Sequence, residues 1–333
     1  MKTADDIQRA LFERLQQKGI TAHDLANTLH LGLGAVYKRL KGETLLDLAE
    51  IALLAEQYNL SLDSIFQPDK GKVTFEFPAM RQSITQLEQY LSSILELIQW
   101  AQRLPGVEIY YSTAEIPIFH YLHFPELSAF KLYMWNRTTW ELPEWEDKLF
   151  NPDSFLENRR ITHLREAIIA GYNQVPSMEF WPVSLLDNTL NAIDYCAESA
   201  AFARPGEAQL LRKQLEQLVQ HQKEMAKAGL KFLPGGQPEP EAGGFTLYHN
   251  EIAHTNITVL LDWEKGSMAF ATFDNPNFMH TTDPEFTRYA AGWFAKLRKR
   301  SLLISKEGEK HRNRYFNLLF KHIEKALGAG QSG

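Results

Sequence analysis

Apolar positions along the chain fall first into helical spacing, then into a mixture of helix and strand. Ile7, Ala10, Leu11 and Leu15 recur every three or four residues, as one face of a helix requires. Leu25, Ala26 and Leu29 repeat that spacing. Leu31 follows, and Val36 and Leu40 lie four apart, which predicts two short helices joined by a tight turn. Thr21, with Asp24 three residues on, is the N-cap of the first, and Gly42 stops the second. Pro68 to Lys72 is rich in turn residues and marks a boundary. Val73, Phe75 and Phe77 then alternate with Thr74 and Glu76, which predicts a short strand ending at Pro78. Residues 80–103 carry Ile84, Leu87, Leu91, Ile94, Leu95 and Ile98 at helical spacing. Such a stripe serves either a core or a partner helix, so this helix is a candidate dimer contact.

Beyond Pro105-Gly106, Val107, Ile109 and Tyr111 alternate as a strand, and Ile116 to Tyr121 reads as another. Helices are predicted over 155–175, 184–202 and 207–228, and strands over 245–249, 256–262 and 267–273. Glu264-Lys265-Gly266 makes the hairpin turn between the last two strands. Two final helices follow at 284–301 and 308–326, the first opened by Asp283-Pro284 with proline at N1. Gly and Pro dominate 234–244, which reads as a surface loop. Strands therefore cluster at both ends of the second region with helices between. The expected architecture is an all-α N-terminal domain over residues 1–67, a linker and first strand over 68–78, and a larger α+β domain over 79–333. That domain is expected to hold one mostly antiparallel sheet with helices on one face. Ligand-sensing domains of the GAF or PAS type have a similar layout, an analogy that supplies no ligand.

The head carries a more specific signal. Its first helix, the Leu25-Ala26 pair, the turn residue Leu31, the buried-type Val36 and the closing Gly42 resemble the helix-turn-helix domain of the phage repressor/Cro (XRE-like) superfamily. The tail from Leu45 through Leu60, Leu62, Ile65 and Phe66 matches that family's last two helices. The resemblance covers about a fifth of the chain. It implies double-stranded operator DNA as partner, with a second helix lying in the major groove and two copies binding as a homodimer. Carried onto this sequence, the DNA-binding positions are Thr21, Gly32, Leu33, Gly34, Ala35, Tyr37, Lys38, Arg39 and Lys41. The family usually has polar side chains where this chain has Gly32, Leu33, Gly34 and Ala35. Gly and Leu make no bidentate contact to a base, so phosphate contacts from Tyr37, Lys38, Arg39 and Lys41 are expected to outweigh direct readout. Residues 1–67 hold seven Lys/Arg against nine Asp/Glu, unusual for a DNA-binding domain, although the cations gather at 38–41.

Composition narrows the class. With 333 residues and 44% hydrophobic content, the chain has ample material for a core beside the small head. A net charge of −6 argues against a generally sticky nucleic-acid binder. Cys196 is the single cysteine, so no intrachain disulfide forms, which fits a reducing compartment. No apolar run approaches the ~18 residues that span a membrane, and the N-terminus does not read as a signal peptide. A cytoplasmic protein without a membrane partner is expected.

Candidate chemistry is sparse: there is no phosphate-binding glycine loop, HExxH, CxxC or GxSxG. No cofactor, metal or enzymatic activity is expected. His249, His254 and His280, with Asp262 and Asp274, do not follow a known ligand spacing. Glu115, Glu126 and Glu179 have no basic partner that sequence identifies. The stretch from Phe124 to Trp145 is dense in aromatics, and Phe130, Tyr133, Trp135 and Trp140 are read as core or as the wall of an effector pocket. Arg288 to Lys325 holds eleven Lys/Arg and three acids. Within it Arg298, Lys299, Arg300, Lys306, Lys310, Arg312 and Arg314 are either a solvated helix face or a patch for an anion or DNA backbone, with Ser301, Ser305 and Lys306 as anion donors. The reading is a dimeric bacterial transcription regulator with a C-terminal domain for effector sensing or oligomerisation. The alternative is a protein-contact module, antitoxin-like or a scaffold, built on the same head.

Overall fold

In the computed structural model, which describes residues 3–58, 60, 62, 65, 72–78, 87–252 and 257–329, the chain forms two units, Met1–Phe75 and Glu76–Gly333. Pro68–Gly71, residues 80–86 with Ile84, His254, and Asn59, Ser61, Asp63, Ser64 and Phe66 of the head's tail lie outside the described residues.

Capping fixes the helices of the first unit. Helix α1, Ala4–Gln17, starts on a capping box between Thr3 and Asp6. Helix α2, Ala22–Leu29, starts on one between Thr21 and Asp24, and α4, Leu48–Gln57, on one between Asp47 and Glu50. Helix α3, Leu33–Leu40, has Gly32 at its N-cap and no side-chain cap. His30 closes α2 in the left-handed region at φ 54, and Gly42, φ 76, makes the same reversal after α3. Leu11, Phe12, Leu15, Leu25, Leu29, Val36, Leu46, Leu54 and Ile65 form one core. Gln8, nearly fully buried, ties the first helix to the turn after α3. Its amide donates to the Arg39 and Thr44 carbonyls and its oxygen accepts from Leu46 N. A side chain with three satisfied bonds inside a core specifies how those elements meet.

The second unit holds a seven-stranded mixed sheet with the order β6-β5-β4-β1-β2-β3-β7. The strands are β1 Glu108–Ser112, β2 Ser177–Trp181, β3 Phe245–His249, β4 Thr258–Trp263, β5 Gly266–Asp274, β6 Asn277–Thr281 and β7 Leu302–Leu303. β1, β2 and β3 pair in parallel at the centre, while the other pairings are antiparallel. Parallel neighbours need long crossovers, and the helices of 113–176 and 182–244 supply them. They are α6 Ile118–Tyr121, α7 Pro125–Thr138, α8 Asp153–Leu156 and α9 Arg159–Gln174, then α10 Asp187–Glu198 and α11 Glu207–Ala228. Helix α5, Leu87–Gln102, precedes β1. Helices α12, Pro284–Arg300, and α13, Glu309–Ala329, follow the β4–β6 meander.

Four sequence expectations change here. Helices cover both faces of the sheet, not one: Met178 and Phe180 of β2 pack with Ala290, Phe294 and Leu297 of α12, whereas Trp181 joins the larger core on the other side. Ile116 to Tyr121 is not a strand; Pro117 caps the short helix α6 instead. Residues 73–77 form no strand, only one bridge between Glu76 and His280. The apolar face of α5 is spent inside the unit, where Leu87, Tyr90, Leu91, Ile98 and Ala101 are buried. Its contact with α9 is so close that a Cβ on Gly171 would stand 2.6 Å from Ile98 Cγ2. A partner helix would therefore find only the polar side of α5.

Candidate functional sites

In the first unit, α2 and α3 carry the surface that the sequence marks. Leu25, Leu29 and Val36 hold the two helices together, and α3 turns its other side outward. Tyr37, Lys38 and Lys41 are exposed, Tyr37 by half. Gly32, Leu33 and Gly34 are exposed and Ala35 half-buried, and a Cβ on either glycine would meet nothing within 4 Å. Two of the nine positions are already engaged. The Thr21 hydroxyl is held in its capping box by Asp24. Arg39 is not a free cation: Nη2 and Nε donate to both Glu50 oxygens at 2.7 and 3.1 Å, and both side chains are 16% exposed. The cations of this face are thus Lys38 and Lys41.

In the second unit, a cavity of about 520 Å³ lies between α5, the β1–β4–β5–β6 half of the sheet and α6. Leu97 and Trp100 of α5, Phe119 of α6, and Val259, Leu261 and Phe270 of the meander contribute to an almost wholly apolar wall. Among the described residues, no Asp, Glu, Lys or Arg lines it. Its volume falls within the roughly 300–1,000 Å³ of small-molecule sites. The end nearest Pro276 and Asn277 is braced: Trp140 Nε1 donates to Asn277 Oδ1 at 3.2 Å and Thr139 Oγ1 to the Asn275 carbonyl at 3.0 Å.

The aromatic quartet read as a pocket wall lies elsewhere. Phe130, Tyr133 and Trp135 are buried in the main core, and Trp140 packs against it. They touch the cavity wall from behind, through Tyr90, whose ring meets Trp135 and Trp140 at 5.6 and 5.1 Å, and through the Trp140–Asn277 hydrogen bond. Local aromatic density marked the core, while the cavity's own residues, apart from the stripe on α5, are scattered from 78 to 280.

Behind the cavity sits a buried polar network that sequence did not reveal. Glu179, at the centre of β2 and fully buried, accepts from His120 Nε2 at 3.0 Å, Tyr172 Oη at 2.5 Å, Ser177 Oγ at 3.0 Å and Trp181 Nε1 at 3.0 Å. Gln222 Nε2 donates to His120 Nδ1 at 3.1 Å, which leaves the ring proton on Nε2. Burial would raise the Glu179 carboxyl, but His120, the charge of Lys231 and the Tyr172 hydroxyl overcome it and hold the group down at about 2. Lys231, 1% exposed, donates to the carbonyls of Val175 and Tyr172 at 2.6 and 3.2 Å. Burial pulls its ammonium down to about 7 against the opposing charge of Glu179. A carboxylate with four donors has no lone pair to spare for proton abstraction, so the network braces β2 rather than performing chemistry.

Of the other two acids for which sequence identifies no basic partner, Glu115 has one and Glu126 is held by a neutral amide. Glu115 accepts from Lys131 Nζ at 2.7 Å and from Asn275, and Glu126 accepts from Gln214. The basic C-terminal tract divides. Arg298, Lys299, Arg300, Lys310 and Arg314 are exposed, and Lys306 is exposed with its stem across Gly229. Arg312 is buried, donating to the Ile304 and Lys306 carbonyls. Ser305 is buried and accepts from Leu247 N, and Ser301 donates to the Leu297 carbonyl, so neither waits for an anion. A second, more open cleft of about 910 Å³ between α11 and α13 is lined by charged side chains such as Glu216, Glu224, Lys321 and Glu324.

Among the described residues, no group of three or more His, Cys, Asp and Glu is arranged to hold a metal ion, and no helix is long and apolar enough to cross a membrane. His249 lies against Tyr315 and His280 against Glu76. Compared with family models, curated proteins and solved structures, the chain matches none.

Proposed function

We propose that this chain is a DNA-binding transcription regulator of helix-turn-helix type. The first unit presents α3 to operator DNA, and the second unit senses a small molecule and holds two copies together. The observation that carries the reading is the α2–turn–α3 pair. Its second helix has a buried anchor, Val36, on one side and an exposed Tyr37, Lys38 and Lys41 on the other. The cavity supports the sensing role, and the GAF and PAS analogy is retained only in that sense: a ligand held beside a sheet. With Gly32, Leu33 and Gly34 leading the helix, one head makes few base contacts. Two heads on one frame bind the second half-site intramolecularly, which makes up for that. A symmetric dimer would read a roughly palindromic operator with half-sites ~34 Å apart or a multiple of it.

The test is a shift assay with the full chain and its own upstream DNA across a range of salt, with light scattering on the same sample. A dimer is expected, whose log affinity falls linearly with log salt. A monomer, or binding that ignores salt, overturns the reading. One observation favours the alternative of a protein-contact module: Leu45 and Leu48, beside α3, are 47% and 78% exposed. Under that reading, Leu48→Ser abolishes a partner contact and DNA binding is absent.

A further inference from the structure

The walls of the cavity specify what it holds. Tyr90 and Tyr111 both line it and are 9% and 5% exposed. No hydrogen bond joins either hydroxyl to another described residue, and neither oxygen is among the fully sealed unpartnered atoms such as Ser112 Oγ, so both still reach open space. The rest of the wall is aliphatic and aromatic, apart from a few polar neighbours such as Ser93, Asn277 and His280. Ser93 is turned back to the Tyr90 carbonyl, Asn277 accepts from Trp140, and His280 faces Glu76 at 3.6 Å. Gln89 also lines the cavity but is exposed, so among the described residues the two phenols are the buried polar groups left for a guest. Among the described residues of the wall, a guest carboxylate or phosphate would meet no Lys or Arg, and it would lie near Glu76. A guest ammonium would meet no carboxylate in the wall. Either charge would be buried unpaired, at heavy cost.

We propose that this cavity binds an uncharged lipophilic molecule with a single polar end, a hydroxyl or carbonyl, that hydrogen-bonds Tyr90 and Tyr111. The proposal deepens the sensing role given above and rests on it only for the ligand's being a signal. The binding itself is independent of DNA. The guest's apolar body fills the space between Leu97, Trp100, Phe119 and Phe270, and its polar end satisfies two hydroxyls that otherwise lack partners.

The experiment uses the full chain without DNA. N-phenylnaphthylamine, neutral and fluorescent in apolar surroundings, is titrated in, then displaced with biphenyl, its para-phenol or its para-carboxylate. Saturable binding is expected. The phenol should displace the dye at up to about tenfold lower concentration than biphenyl, the gain of one net hydrogen bond, and the carboxylate should displace it worst. Tyr90→Phe with Tyr111→Phe should erase the advantage of the phenol and leave biphenyl unchanged. Val259→Phe and Leu97→Phe, each filling the cavity from a different element, should abolish dye binding while far-UV circular dichroism and Tm are retained. Absence of saturable binding, tightest displacement by the carboxylate, or filled variants that fold and still bind the dye would each overturn the proposal. A phenol advantage that survives the double tyrosine variant would overturn the assigned polar end. Because DNA is absent, failure here is separate from failure of the shift assay.

Discussion

The rings of Phe119 and Tyr172 lie 4.1 Å apart and 4° from parallel. Phe119 walls the cavity, and the Tyr172 hydroxyl donates to Glu179 at 2.5 Å. With Phe119 on one face of Tyr172, Lys231 Nζ, 3.4 Å from the ring centroid, must occupy the other. One ring stack thus stands between an apolar chamber and a buried charge. This arrangement places anything that displaces Phe119 one side chain away from β2, the middle strand of the parallel trio.

Tyr172→Phe keeps the stack and removes one of the four donors to Glu179. Truncating a donor to a buried carboxylate leaves an oxygen short of a partner, at a cost of about 1–3 kcal/mol. Urea unfolding should show that loss at neutral pH, with far-UV circular dichroism unchanged. A loss below about 0.5 kcal/mol would mean that the hydroxyl adds nothing to the other three donors.

Gly171 lets α9 press against α5. An added Cβ would stand 2.6 Å from Ile98 Cγ2 and 3.3 Å from Gln102 Oε1. Overpacking of this kind costs about 1–3 kcal/mol, offset slightly by the better helix propensity of alanine. Gly171→Ala should therefore lower the urea midpoint, and Ile98→Leu in the same chain, which removes the Cγ2 branch at nearly constant volume, should recover part of the loss. Full stability in the single variant would mean that the two helices separate without penalty.

What sequence disclosed and what it hid follow from the range of the interactions. Thr21 with Asp24, Gly42, and the apolar stripe of Glu207–Ala228 are signals within one turn or one helix, and each is found where it was read. β3 and the Glu264-Lys265 hairpin were legible for the same reason. β2 was not, because Ser177–Trp181 is buried on both faces at the centre of a parallel core and so shows no alternation. Ile116 and Ile118 did alternate, yet Pro117 opens a helix between them. The Glu179 network and the cavity are beyond local reading. His120 is 59 residues from Glu179, and Tyr90 and Val259 meet the same space from opposite ends of the domain.

Two histidines give the second unit a pH response. His123 and His221 meet edge to face with centroids 5.3 Å apart. Burial, with His120 nearby, holds His221 down at about 4, and burial and the same neighbours hold His123 well below its usual value. Between about pH 6.5 and 4 the unfolded chain therefore binds protons that the folded one refuses, so stability falls as pH drops through that window. His221 alone accounts for about 3 kcal/mol of this loss. The Glu179 carboxyl, held low in the folded state, adds a loss that begins only below about pH 4.5. Urea unfolding at steps from pH 7 to pH 4 should show the first slope, and His221→Gln should flatten it. A parent curve flat down to pH 5 would mean that both rings are protonated without penalty in the fold.

Arg39 should behave unlike its two lysine neighbours. Its guanidinium grips both oxygens of Glu50 from a half-buried position, joining α3 to α4, whereas Lys38 and Lys41 are exposed. A bidentate pair at this depth is worth about 1 kcal/mol or somewhat more. Arg39→Ala should lower the stability of the head by that amount, and a double-mutant cycle with Glu50→Ala should return a coupling of about the same size. Its effect on DNA affinity should be nearly independent of salt. Lys38→Ala and Lys41→Ala should do the reverse: little change in stability, and a fall of ~0.9 per lost phosphate contact in the log affinity against log salt slope. If Arg39→Ala reduces the slope as much as a lysine variant does, the guanidinium leaves Glu50 on binding, and its place is on the DNA backbone rather than between two helices.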